Sequence, residues 1–118
     1  MIFDGHTDIF SDVRYKREAG ETQVLKNRHL ERLQQGGITG GCFVIWADTF
    51  NGLDPKDEMN AIIKHMKDEV AETEDFVLVH NTAEILKAKE DGKIAMLLGL
   101  EGLAGIGEDI DCIHELYD

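Results

Sequence analysis

Two unbroken apolar runs constrain this chain more than any other feature. Residues 38 to 47 carry Cys42, Phe43, Val44, Ile45 and Trp46 in succession, and residues 93 to 100 carry Ile94, Ala95, Met96, Leu97 and Leu98. Such a run has no polar face. As a strand it must be buried on both sides, which is the situation of a strand in a parallel sheet covered by helices. Between the two runs lies a helical signal. Asp54 is placed to cap a helix with Pro55 at its first position, and Met59, Ile62, Ile63, Met66 and Val70 follow at helical spacing. Met59 and Met66 therefore read as core residues.

The remaining segments fit the same alternation. Met1-Ile2-Phe3 opens a short strand that ends at a turn-like Asp4-Gly5. Residues 11 to 23 are polar and charged and read as a long loop. Asn27 caps a helix running through Gln35, with Leu30 and Leu33 facing inward and Gly36-Gly37 as its stop. Phe76-Val77-Leu78-Val79 is a short apolar stretch. Thr82 caps a further helix with Ile85 and Leu86 inward and Gly92 ending it, and Ile110, Ile113 and Tyr117 space like the start of one more. Strands alternating with helices predict an α/β fold with parallel pairing and right-handed crossovers. At 118 residues the chain is one domain at most. Periodicity does not separate an open sheet from a barrel.

The net charge of −12 excludes nucleic acid and anionic membranes as partners, because both need clustered Lys and Arg. No stretch joins basic residues to a short apolar segment as a leader would, and no apolar run approaches membrane-spanning length. Cys42 and Cys112 match no paired-cysteine metal or redox spacing. Cys42, inside its apolar run, is expected to be a buried thiol. A cytoplasmic, reducing setting is the simplest expectation.

His6-Thr7-Asp8 follows the first strand, at its C-terminal end. In an extended backbone, side chains two apart share a face, so His6 and Asp8 converge while Thr7 points away. Imidazole with carboxylate suits zinc and similar divalent metals. Glu101 ends the second long run, where a charge is costly unless paired or bound to a cation, and Gly99 and Gly102 flank it. If these segments end neighbouring parallel strands, the three side chains rise from one rim. His80, at the end of its apolar stretch, is a weaker candidate. His65 lies on the polar side of its helix, His114 in the final helix pattern, and His29 on an exposed helix face.

Three segments together, Asp4-Gly5-His6-Thr7-Asp8, Gly36-Gly37-Ile38-Thr39-Gly40-Gly41-Cys42-Phe43 and Gly92-Lys93-Ile94-Ala95-Met96-Leu97-Leu98-Gly99-Leu100-Glu101-Gly102, resemble the N-terminal part of the membrane (renal) dipeptidase family of zinc peptidases. The resemblance implies a (β/α)8 TIM-type barrel, of which this chain would supply roughly three strand–helix units as an N-terminal fragment. It implies a site of two zinc ions, with His6 and Asp8 on one zinc and Glu101 bridging both, and a dipeptide substrate hydrolysed by a metal-activated water. The remaining ligands of that site would lie beyond residue 118. The isolated chain is then expected to be inactive and to self-associate, as a homo-oligomer, through open sheet edges. Two further readings are a non-catalytic or oligomerisation module that keeps the fold, and another metal-dependent amidohydrolase.

Overall fold

Both apolar runs are strands. The computed structural model describes residues 1–47 and 52–117. In it, β2 (Ile38–Trp46) and β4 (Ile94–Glu101) lie side by side in parallel, in register from Gly40 opposite Ala95 to Trp46 opposite Glu101. Strand β1 (Ile2–Thr7) runs along the other edge of β2, and β3 (Phe76–Val79) along the other edge of β4. The parallel sheet has the order β1-β2-β4-β3. Around it lie α1 (Ile9–Glu18), a π-helical turn (Leu25–Leu30) running into α2 (Glu31–Gln35), α3 (Pro55–Glu72), α4 (Thr82–Glu90) and α5 (Cys112–Tyr117). Three complete strand–helix units and a fourth strand match the α/β architecture expected. Among the described residues, no helix is long and apolar enough to cross a membrane.

The strand order explains where the helices go. The connections from β1 to β2 and from β2 to β3 advance across the sheet in one direction, while that from β3 to β4 steps back. With a constant right-handed crossover, the helix of a reversed step falls on the opposite face. The packing follows this rule. Phe43, Ile45, Phe76, Ile94 and Met96 form the main core with Phe10 and Val13 of α1 and Met59, Ile62 and Met66 of α3. The alternate positions, Val77, Val79, Ala95 and Leu97, pack instead with Ile85 and Ala88 of α4. Helix α4 covers only the early half of β4. Beyond Leu97 that face is open up to Glu101.

Gly40 sits where three strands crowd together. A β-carbon there would stand 2.8 Å from the Ala95 carbonyl oxygen and 2.9 Å from Phe3. The Ala95 carbonyl is backbone of the adjoining strand, so relief requires backbone movement. Gly40→Ala is expected to lower stability by about 1–3 kcal/mol, the usual scale of overpacking. Gly5→Ala, at a position with nothing within 4 Å, should leave the urea midpoint near that of the parent. Equal midpoints for the two variants would refute the steric account.

Several expectations are corrected. The polar stretch expected to be a loop over residues 11 to 23 is largely α1. Its inward side carries Phe10 and Val13 but also Arg14 and Arg17, whose partners are glutamates of α3. Asp4-Gly5 lies within β1 rather than ending it. Asn27 is inside the π-helical turn; the turn's first N–H groups, at Val24 and Leu25, are taken by the Glu69 carboxylate of α3. Asn81 rather than Thr82 caps α4, accepting the Glu84 N–H. Leu86 is half exposed, because only one edge of α4 meets the sheet. Cys42 is half-buried, since it faces Gly99, which offers no side chain to cover it.

Candidate metal centre

The C-terminal ends of β1 and β4 bring together the residues singled out from the sequence. Thr7 is opposite Phe43 in the register of β1 and β2, and Phe43 belongs to the main core. His6 and Asp8 therefore project from the other face. Glu101 follows Leu100, which packs against that core, so it too projects away from α1 and α3. All three emerge on the stretch of sheet that α4 leaves open. The Asp4 carboxylate accepts the His6 backbone N–H at 3.1 Å and holds the strand's irregular last turn. Asp8 follows the strand and stands at the N-cap of α1 without using its side chain as a cap, which leaves its carboxylate free to face His6.

The distances are those of a ligand set. His6 Nε2 lies 3.4 Å from Asp8 Oδ1 and 3.2 Å from Glu101 Oε2. One ligand atom from each residue falls within 4.8 Å of the others, and this is the one such cluster among the described residues. About half of each side chain is exposed, so a cation and a substrate can reach them from solvent. Atoms bound to one zinc ion at about 2.0–2.2 Å sit roughly 3–4 Å apart, which the two spacings from His6 satisfy. One imidazole and two carboxylates form a donor set suited to zinc and related divalent metals, and three protein ligands leave a coordination position for water.

One premise of the sequence reading changes. The strands that carry His6 and Glu101 are not neighbours; β2 runs between them. Strands are spaced about 4.8 Å apart, so the two residues reach over β2 to meet. The flanking glycines also divide in role. A β-carbon at Gly99 would stand 2.8 Å from Cys42 Sγ, so Gly99 permits close approach. Gly102 has open space around it and a φ of +68°, and serves the turn out of the strand.

Three of the other histidines make contacts elsewhere, and His114 is exposed on α5. His80 donates its backbone N–H to Glu84 at 2.7 Å, with its ring Nδ1 3.2 Å from the same carboxylate. The His80 backbone N–H is the main reason the Glu84 carboxyl is held below its ordinary pKa. His80 thus belongs to the start of α4. His29, expected on an exposed face, is mostly covered and contacts Asp12 of α1 at 2.8 Å; the helix that covers it is the one not expected. His65 lies 3.8 Å from Glu18 on the α1–α3 interface.

Comparison with known proteins gives a consistent picture. The family model for membrane dipeptidase (peptidase family M19) matches residues 1–118. No curated protein matches the sequence. Among solved structures, a metallopeptidase described as dipeptidase AC is 22% identical with a TM-score of 0.79. A metallopeptidase from Rhodobacter sphaeroides, liganded with a phosphinate mimic of the dipeptide L-Ala-D-Ala, is 20% identical with a TM-score of 0.80. Each similarity covers 98% of this chain, and 41% and 42% of the other. The chain therefore spans about two fifths of the length of these structures and shares their fold over that span.

Proposed function

Because the chain belongs to the membrane dipeptidase family of peptidases, we propose that it contributes a zinc-binding half-site to a dipeptide-hydrolysing enzyme, with His6, Asp8 and Glu101 as ligands. One observation carries this reading: segments far apart in sequence converge at one strand rim with ligand spacing. Two anionic carboxylates flanking one imidazole supply the charge that a divalent cation offsets. Glu101 contacts His6 through Oε2, and its second oxygen gives it the means to serve a second ion. When bound, such ions supply a water deprotonated near neutral pH and a polarised scissile carbonyl. The open coordination position and the half-exposed rim admit a small substrate such as a dipeptide. Within a complete (β/α)8 barrel, this rim is the end at which active sites are built.

The test is hydrolysis of L-Ala-D-Ala by the full-length protein that carries this chain, before and after removal of metal. Activity should vanish on complete chelation and return with added zinc. Turnover that survives complete chelation excludes the reading. A second reading is metal retention without catalysis. Zinc binding by the full-length protein without turnover of any dipeptide would select it.

A further inference from the structure

Strand β1 carries one residue more than β2 just before the candidate ligands. Asp4 stands opposite Gly41 and Thr7 opposite Phe43, so three steps along β1 span two along β2. That extra residue decides where His6 points. Continued without it, the register from Asp4 would set His6 opposite Phe43, a residue of the main core. A slip of one residue sends a strand's side chains to the other face. His6 would then face α1 and α3, away from Asp8 and Glu101. With the extra residue, Thr7 takes that place and His6 turns to the open rim, 3.4 Å from Asp8 and 3.2 Å from Glu101.

A bulge leaves backbone groups without partners in the ladder, and other groups must take them. Here Asp4 Oδ1 accepts the His6 N–H at 3.1 Å. The bond joins the residues on either side of Gly5 and so clamps the bulge from within. Asp4 lies close against β2 because the residue opposite is a glycine. A β-carbon at Gly41 would stand 2.9 Å from the Asp4 carbonyl oxygen and 3.1 Å from the Asp4 Cβ. Asp4 is not itself one of the clustered ligands. The His6 side chain is 52% exposed, so packing does little to fix its ring, and the backbone beneath it carries that task.

We infer that Asp4 is a positioning residue of the metal centre: its carboxylate holds the bulge that delivers His6 to Asp8 and Glu101. The inference rests on His6 as a zinc ligand. It assigns Asp4 a role through its hydrogen bond to backbone rather than through its charge.

The zinc affinity of the full-length protein that carries this chain, measured by competition with a chromophoric chelator, tests this. Asp4→Ala should weaken zinc binding by about tenfold or more, the usual loss when a group supporting a ligand is removed. Asp4→Asn keeps an oxygen acceptor without the charge and should restore most of the affinity. Asp4→Glu keeps the charge but displaces the acceptor, and should bind less well than Asp4→Asn; this ranking decides if Asp4→Ala does not fold. Because Asp4 acts through His6, adding Asp4→Ala to His6→Ala should cause no further loss. A further loss there, equal losses in Asp4→Asn and Asp4→Ala, or undiminished affinity in Asp4→Ala would overturn the inference while leaving His6 a ligand. Undiminished affinity in His6→Ala would overturn the ligand assignment and the inference with it.

Discussion

Zinc affinity falls by more than about 100-fold in Glu101→Ala, because loss of a group that only supports a metal ligand already costs about 10–100-fold. Calorimetric titration of the apo protein with zinc measures this. Asp8→Ala should lose affinity comparably, and the two variants combined should show little further loss once the cluster no longer closes around one ion. Both side chains are about half exposed, and neither packs in the core, so thermal unfolding of the metal-free variants should match that of the metal-free parent. Glu101→Gln keeps the shape and removes the charge, and should resemble Glu101→Ala in binding. Undiminished zinc binding in Glu101→Ala would remove Glu101 from the proposed site.

Glu69→Ala is the most damaging substitution expected outside the site. The Glu69 side chain is fully buried. It accepts Arg17 Nη1 at 2.7 Å, the Val24 N–H at 2.9 Å and the Leu25 N–H at 3.0 Å. One carboxylate thus joins α3 to α1 and caps the π-helical turn. Its removal strands a buried guanidinium edge and two backbone donors, a loss of about 3–5 kcal/mol. Urea unfolding would show this, with Lys64→Ala as a surface control. A midpoint no lower than that of the control would mean that the network is structurally idle. The neighbouring Glu72 adds a pH dependence of known sign. Its hydrogen bonds with Arg17 hold its carboxyl below the ordinary value of 4.5. Its contribution is therefore fully present above that value and is lost as pH falls through the depressed folded pKa. The Glu72 side chain is 36% exposed and that of Glu69 fully buried, so solvent screening keeps this contribution small beside that of Glu69.

The same network shows why part of the fold is hard to read from sequence. Strands β2 and β4 and helix α3 announce themselves because burial demands apolar runs or a clean apolar stripe. Helix α1 does not, because two of the residues it turns inward are Arg14 and Arg17. A charged residue reads as solvent-facing until its partner is known, and the partners Glu58, Glu69 and Glu72 lie more than 40 positions away. Hidden with α1 was the covering of His29. The candidate site was more legible. His6 and Asp8 meet through the two-residue period of a strand, and Glu101 stands out as a charge closing an apolar run. What the pattern does not carry is lateral order. Phe76–Val79 is visible as a short strand, but nothing in its residues says that it pairs outside β4 and leaves β2 beside β4.

That lateral order bears on how the chain is assembled as it is made. The strand that occupies the place between β2 and β3 is the last of the four to leave the ribosome. Until residue 101 has emerged, β2 has one long side unpaired, and β3 has no partner at all. Apolar strands waiting with free edges are the species most prone to misassociate. The net charge of the chain, −12, opposes association between copies during that interval, well before any metal ion has a site to enter.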